Sequence, residues 1–549
     1  MALKHVNAVV IGAGAGGGVV AKELSEAGFS VVMFERGGWV SFETHAQDEL
    51  INQRTTVLGN AYGPDDRHPR VHESSPGQWS TVGPNDWGYG NNAACVGSGT
   101  VSYGAMAWRF HAKDFRMRST YGAPEGSSLE DWPISYDDLE AFYEKAEWEI
   151  GVAGDMSGNP FIGPRRRDYP MPAFPHNREG RMLEAAAKRL GFHPFPIPML
   201  RNSVPYGGRN ACIHNRACCG YACPINAKNG TQNTVIPRAL ATGNCELRTH
   251  SIVSEVVVDD RGVARGVKYF DAEDRAHYQT ADLVVLSGGA IESARLLLNS
   301  KSKLFPNGAG NRHDWVGRNL QGHGYTGAFG LFAEETYDDV GPGATIAISD
   351  FNHGNAGLRG GGVLCNEFIV PPYAFAGTRP PGAARWGQAH KDFQRGFFKR
   401  CIAVHGPVQE MPVFDARVEV DPEVRDHWGI PVARLSGNRH PHDIEIARFL
   451  SSRAEQWLKE AGAVRTWTAL PGMGQRGGQH QAGTCRMGDD PATSVTNKHG
   501  RVHDIDNLFV ADSGLHVTNG GFNPVLTIMA LGFWVSHLIK ARWTEGQLT

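Results

Sequence analysis

Four of the nine cysteines crowd into one short segment, Cys212, Cys218, Cys219 and Cys223, spaced C-x5-C-C-x3-C-P. Thiolates at such spacing can hold an iron–sulfur cluster, with a proline after the last ligand as in ferredoxin-like runs. Zinc fits less well, because its sites use two separated C-x2–4-C pairs. Structural thiols or a disulfide are the third reading, although the adjacent Cys218 and Cys219 cannot easily both pair locally. Cys95, Cys245, Cys365, Cys401 and Cys485 are scattered and read as small core residues. Nine cysteines in 549 residues are too few for a disulfide scaffold.

A second chemical signature opens the chain. Gly12, Gly14 and Gly17 have the G-x-G-x-x-G spacing, and Glu35 follows near the end of the unit. Gly12 permits a tight turn, Gly14 lets backbone approach a pyrophosphate, and Gly17 lets a helix lie close to a strand. The N-terminus of that helix offers N–H groups to phosphates. Glu35 can accept hydrogen bonds from ribose hydroxyls. The pattern predicts dinucleotide binding and does not choose between FAD and NAD.

The elements that must position these groups are legible in outline. Val9, Val10 and Ile11 read as a buried parallel strand, the next helix turns Val20, Leu24 and Ala27 inward, and Val31 to Phe34 form a second strand. Residues 41–87 are polar and rich in turn formers, a long excursion of the kind used for lids or subunit contacts. Asp131 to Gly154 reads as a capped amphipathic helix with Leu139, Phe142, Tyr143 and Ala146 on its apolar face. Ala281 to Ser300 gives another strand, glycine turn and helix, expected to add a late strand to the first sheet. Alternation such as ARVEVD, Ala416 to Asp421, predicts an antiparallel sheet between about Ala328 and Leu470. The chain then returns with a strand at Leu508 to Val510 and an apolar helix from about Pro524.

The fold class expected is α/β, α+β overall. A Rossmann-like nucleotide domain occupies residues 1–327, including the cysteine segment 211–234. A substrate-binding domain with a mainly antiparallel sheet occupies 328–470, and 471–549 return to the nucleotide domain. A net charge of -3 gives no reason to expect nucleic acid or an anionic membrane as partner. No segment reads as a signal peptide, so the plain expectation is cytoplasmic. Export into the periplasm, attached to a partner that carries the signal, is the alternative. No apolar run reads as a bilayer span.

Several separated motifs together resemble the glucose–methanol–choline oxidoreductase family: the opening glycine turn, CVGSGTVSYGAMAWRF, DWPISYDDLEAFY, SGGAIESARLLL, WVGRNLQGH, HQAGTCRMG, and FVADSG with GGFNPVLTIMAL. They span nearly the whole chain in the family's order. The resemblance implies FAD as the nucleotide, and alcohol oxidation, often of sugars, by hydride transfer to flavin N5. It points to His480 as the base that takes the hydroxyl proton and to Asn523 as the residue that orients the alcohol. A neutral imidazole suits that task at neutral pH. Gly97, Ser102 and Asp512 are implied FAD contacts. His323 is placed near the FAD, and His516 is a candidate for lining the pocket but not for the base. Ser102 falls where some pyranose oxidases carry a histidine bonded to the flavin, which implies non-covalent FAD here.

Within the family the chain looks most like bacterial sugar and glycoside dehydrogenases, with kinship to pyranose oxidases. That likeness selects a 3Fe-4S cluster among the cysteine readings, with Cys212, Cys219 and Cys223 as ligands and Cys218 spare or an alternative ligand. Electrons would leave through it, with a small exported subunit and a cytochrome as implied partners. The substrate implied is a sugar or glycoside, and its carbon 3 is the favoured position, giving a 3-keto product. The alternatives are a glycoside 3-oxidase or pyranose-oxidase-like enzyme making hydrogen peroxide, and a non-catalytic flavin electron-transfer subunit.

Overall fold

The computed structural model describes residues 4–52, 61–86, 88–90, 93–368, 370–474 and 480–548. Parts of the expected excursion, residues 53–60 and 87, and the first two asparagines of the second glycine motif, 91–92, lie outside the described residues. The expected α/β architecture is present. Among the described residues a mixed sheet is built on a parallel core, in which Cys245–Arg248, Val31–Phe34, Val6–Ile11, Ala276–Leu286 and Leu508–Val510 lie side by side. Taken in chain order their sequence across the sheet is 3-2-1-4-5. The order reverses between Val6–Ile11 and Ala276–Leu286, and a ligand crevice forms at such a switch point beyond the strands' carboxyl ends. The first half of Ala276–Leu286 instead pairs antiparallel with Ala264–Phe270, which pairs with Ile252–Val258.

The glycine turn works as its spacing predicts. Gly12 has φ +101°, and a Cβ there would stand 2.4 Å from the Ser287 carbonyl oxygen. A Cβ at Gly17 would stand 1.9 Å from the Gly12 oxygen, so the helix Ala15–Glu26 reaches the strand only because residue 17 is glycine. Gly16 plays a part the spacing does not foretell: its Cβ would meet the Ala511 oxygen at 1.8 Å, where the C-terminal segment crosses the helix. Val20 and Leu24 are fully buried as expected. Ala27 is not, because the helix ends at Glu26 and Ala27 caps it in solvent.

The helix of the Asp131–Gly154 segment runs Tyr136–Ala146, started by a capping box between Ser135 and Asp138. The terminal helix Val525–Thr544 is apolar and long enough to cross a membrane by length and composition. Here it is a core helix: Leu526, Met529, Leu531 and Phe533 are buried, and Thr527 hydrogen-bonds the Tyr143 hydroxyl at 2.8 Å.

The antiparallel sheet exists, with strands from both sides of the expected 327/328 boundary. Its order is Arg465–Ala469, Tyr325–Leu331, Cys401–Pro407, Leu364–Asn366, Ile346–Ile348, Phe195–Pro196. The helix Pro441–Glu460 covers it, burying Ile446, Leu450, Trp457 and Leu458 in a second apolar core. ARVEVD lies elsewhere. Its strand, Arg417–Arg425, pairs with Pro431–Ser436, which pairs parallel with Arg70–Ser75 of the excursion. Alternation reveals a half-solvated strand but not which sheet receives it.

Candidate active site

One large cavity of about 440 Å³ runs from the glycine turn to the antiparallel sheet, within the usual range for cofactor sites. Ile11 and Leu286, the ends of the two strands at the switch point, both line it. So do Gly12, Gly14, Glu35 and Asp512 at one end and His480 and Asn523 at the other.

The nucleotide end is a cradle of backbone. Gly14 begins the helix with no capping side chain and no acid in the first turn, which keeps that N-terminus positive toward a phosphate. The buried Glu35 carboxylate accepts from Ala13 N–H and Gly37 N–H, both at 3.0 Å. Burial pushes its pKa up while these donors pull it down, the first effect being larger. Lone pairs beyond those two bonds are available to ribose hydroxyls. Asp512 is buried and fully engaged. Its Oδ2 accepts from Gly289 N–H at 2.9 Å and Ser293 Oγ–H at 2.6 Å, and its Oδ1 from Gly514 N–H at 2.7 Å. It therefore ties the C-terminal motif to the Gly288–Gly289 turn, and burial raises its pKa.

Three arginines, Arg36, Arg70 and Arg295, gather around the half-buried Glu292 on this wall, with Arg70 closest at 2.6 Å. Burial alone would raise the Glu292 pKa, but the guanidinium groups hold it well below the usual carboxylate range. Arg70 comes from the excursion, and nothing in its local sequence marks it.

Two expected FAD contacts lie behind the wall. Gly97, with φ +93°, faces Gln232, and its N–H donates to the Ala13 oxygen at 2.8 Å. Ser102 is fully buried at the end of the short helix Gly99–Ser102 and does not line the cavity. The lining comes instead from Ser98, Gly99, Thr100 and Tyr103 to Met106. A four-residue helix turns Ser102 away from the face its neighbours present, a reversal that motif alignment cannot register.

At the far end the hydrogen bonds assign every proton that matters. His323 Nε2 stands 3.1 and 3.0 Å from the carbonyl oxygens of Asn519 and Gly520, so it carries a hydrogen. Burial lowers the His323 pKa, so the ring is neutral and its Nδ1 is an acceptor. That Nδ1 lies 2.9 Å from His480 Nδ1, which therefore donates. His480 Nε2 is left with a lone pair, met by the Asn523 amide nitrogen at 3.5 Å. The amide orientation is fixed as well. Trp108 Nε1, which can only donate, lies 3.0 Å from Asn523 Oδ1, so Nδ2 faces His480 and the Tyr325 hydroxyl, the latter at 3.0 Å.

The supports of this pair come from several elements. His480 holds φ +62°, a left-handed backbone uncommon outside glycine, and its carbonyl accepts from Asn519 Nδ2 at 2.7 Å. Glu410, ion-paired with Arg439 at 2.6 Å, accepts from Gly322 and Gly324 N–H and so grips the loop that carries His323. Sequence reasoning missed Trp108, Tyr325, Glu410 and Asn519; Trp108 had a signal in its place within the motif CVGSGTVSYGAMAWRF, and Asn519 in its place four residues before Asn523. His516 does not reach the cavity. It is buried against Phe110 and Trp132, its Nδ1–H donates to Asn519 Oδ1 at 3.0 Å, and burial drives its pKa down to about 4.

The cysteine segment divides in an unexpected way. Cys212, Cys218 and Cys223 line a separate cavity of about 20 Å³ with Arg201 and Lys228, whereas Cys219 lines the large cavity. The expected set of Cys212, Cys219 and Cys223 is thus not gathered. Adjacent residues in this irregular loop point to opposite sides, so Cys218 takes the place assigned to Cys219. Among the described residues no three His, Cys, Asp or Glu side chains are arranged to hold a metal ion. The Lys228 ammonium is used up on the carbonyls of Tyr103, Cys218 and Tyr221, while buried Arg201 has Nε and one terminal nitrogen without partners.

Comparison with known proteins agrees with this geometry. Family models described as GMC oxidoreductase match residues 127–325 and 412–532, and one described as an NAD(P)-binding Rossmann-like domain matches residues 10–84. The 2-methyl-1,2-propanediol dehydrogenase of Mycolicibacterium austroafricanum is 31% identical over 98% of this chain and 96% of its own. The 6'''-hydroxyparomomycin C oxidase of Streptomyces lividus is 30% identical over 97% of this chain and 91% of its own. The gluconate 2-dehydrogenase flavoprotein of Pantoea cypripedii is 28% identical over 99% and 95%. The crystal structure of pyridoxine 4-oxidase from Mesorbium loti superposes with a TM-score of 0.64 at 16% identity, covering 97% of this chain and 99% of that one, a likeness of fold. With the glycine cradle, the paired His480 and Asn523 and these full-length matches in agreement, the chain belongs to the GMC oxidoreductase family, whose nucleotide is FAD.

Proposed function

We propose that the protein oxidises an alcohol carbon of a sugar or related polyol, with His480 as base and Asn523 as the group that holds the hydroxyl. FAD, when bound, supplies the hydride acceptor. The observation that carries the reading is the pairing of an acceptor Nε2 on His480 with a donor Nδ2 on Asn523 inside one cavity. A substrate hydroxyl between them accepts from the amide and gives its proton to the imidazole. Trp108 and Tyr325 hold the amide in the donating orientation, and His323 holds the imidazole in the accepting tautomer. Within the sugar class, a secondary alcohol such as carbon 3 of a glucoside is the position we favour.

We favour a dehydrogenase, in line with the names of the first and third relatives above. The oxidase alternative has its own support in the paromomycin-type oxidase. The iron–sulfur exit is part of the same proposal and is supported by sequence resemblance and by Arg201, whose partnerless N–H groups share a pocket with three thiols. The present arrangement of those thiols is not a metal site, so no electron path is assigned through it. A small exported subunit, a cytochrome acceptor and export with that subunit belong to this proposal too. So does non-covalent FAD, supported by the lack of a histidine among the residues of the second glycine motif that line the cavity.

Anaerobic mixing of the FAD-loaded protein with a panel of sugars, glycosides and diols tests the reaction. Flavin bleaching by one class is expected, and its loss in His480→Ala with FAD retained. Bleaching by none of them, or full bleaching in that variant, overturns the reading. Iron analysis and electron paramagnetic resonance on anaerobically purified protein decide the cluster.

A further inference from the structure

A second cavity of about 40 Å³ adjoins the large one, and Glu367 and Phe368 line both. The two cavities meet at these residues. The Phe368 ring is pressed onto the backbone of Gly104, where a Cβ would stand 2.2 Å from the ring. The small volume of the second cavity suits a group the size of an amino or methylamino group.

The chemistry of this side pocket is unusual for a protein interior. Phe329, Tyr337, Phe375 and Phe398 give it aromatic walls, and Glu179 supplies a carboxyl group. Glu179 comes from the first turn of the helix Arg178–Arg189 and is buried. Its side chain is hydrogen-bonded by Asn366, and among the described residues no Lys, Arg or His forms an ion pair with it. Burial, and then the nearby Asp338 carboxylate, push its pKa up to about 8, against the pull of Asn366. The Tyr337 hydroxyl is buried without a hydrogen-bond partner. On the shared wall Glu367 adds a second carboxylate, with His405 Nδ1 3.7 Å away. The cations around the side pocket are engaged elsewhere: Lys399 and Arg216 are paired with Asp339, and Arg181 with Asp338.

A buried acid that lacks a counter-ion is costly to ionise. A hydroxyl with unused lone pairs and a ring of aromatic faces stand beside it. Together these groups are complementary to a small organic cation, which a carboxylate attracts, a phenol oxygen accepts from, and aromatic quadrupoles stabilise. We infer that the side pocket is a substrate subsite for a protonated amino or methylamino group, bound by Glu179 and the Tyr337 hydroxyl. The oxidisable alcohol of the same molecule then lies in the large cavity, so the preferred substrates are amino alcohols or amino sugars. This inference rests on the large cavity being an alcohol-oxidising site.

Methylammonium chloride is the probe for the subsite alone. Calorimetric titration into FAD-loaded protein, against potassium chloride at equal ionic strength, is expected to show saturable binding. Glu179→Gln should weaken that binding at least tenfold, about the effect of 1.4 kcal/mol or more. Tyr337→Phe, which keeps the ring, should weaken it by a smaller factor, so the test survives if Glu179→Gln misfolds. Retention of the flavin spectrum reports folding. With matched substrates, glucosamine is expected to show a lower KM than N-acetylglucosamine, and Glu179→Gln should abolish that advantage. Absence of methylammonium binding while neutral alcohols still bleach the flavin overturns the subsite and spares the proposed reaction. Binding of methylammonium with no bleaching by any alcohol overturns the reaction and leaves the subsite. Equal binding in wild type and both variants overturns the assignment to Glu179 and Tyr337.

Discussion

Removing the acceptor on His323 tests the proton assignment at its weakest joint. In His323→Leu the His480 Nδ1–H loses the partner it meets at 2.9 Å, and the Asn519 and Gly520 carbonyls lose their donor. A buried donor left without a partner costs about 1–3 kcal/mol. His480 can avoid part of that cost by moving its proton to Nε2 or by turning, and either change removes the acceptor that faces Asn523. If the full cost falls on the reacting arrangement, flavin reduction slows by a factor of about 5–150. His323→Asn places an amide oxygen near the former Nδ1 and should recover much of the rate. The assay is anaerobic stopped-flow reduction of bound FAD by the best alcohol of the panel, with occupancy checked from the visible spectrum. A His323→Leu enzyme that keeps its FAD and reduces it within about twofold of the wild-type rate would refute the tautomer argument. A slow His323→Asn enzyme beside an equally slow His323→Leu would show that packing, not the acceptor, is what the site needs.

Gly17→Ala puts a methyl group 1.9 Å from the Gly12 oxygen. It should cost about 1–3 kcal/mol as overpacking, read as a lower Tm together with reduced flavin content. Asp512→Asn removes the charge that accepts from Gly289, Ser293 and Gly514. A loss of about 1–3 kcal/mol in chemical unfolding and weaker FAD retention are expected, and an unchanged midpoint would argue against the tie. Glu23 is buried, which alone would raise its pKa, but the ammonium groups of Lys145, Lys22 and Lys540 hold it down to about 2. Its stabilising contribution, on the order of 3 kcal/mol, is full above the unfolded carboxylate range and disappears as pH falls toward 2. The stability gap between wild type and Glu23→Gln should therefore narrow on acidification from pH 6 to about 3 and vanish only toward pH 2.

Local order was legible where chemistry is local. The turn at Gly12, Gly14 and Gly17, the strand at Val6–Ile11 and the capped helix at Tyr136–Ala146 depend on neighbours a few residues away, and their sequences state them. The partnership of His480 with Asn523 was legible only through motifs, since 43 residues separate them in the chain. What could not be read is what long-range pairing decides. The strand Arg417–Arg425 alternates like any half-exposed strand, and its sheet is chosen by Arg70–Ser75 some 350 residues earlier. Ser102 and Cys219 face other sides than their motifs suggested, for a related reason. Each sits in a short helix or irregular loop where one residue's shift reverses the side-chain direction. The supports Glu410 and Arg439 carry no motif, because any acid and base that reach the loop at His323 would serve.

The meeting of the two chain ends has a consequence for synthesis. Gly16 lies under Ala511, Asp512 grips Gly289, and Leu508–Val510 completes the parallel sheet. A ribosome makes the nucleotide fingerprint first and its closing partners last, and nascent segments fold as their partners emerge. The cradle for the cofactor thus stays open until residues 508–512 have been made, and loading of FAD follows their arrival. A message truncated before the codon for Leu508 would yield a protein without these closing contacts, and so without cofactor, not a flavoprotein lacking only part of its site.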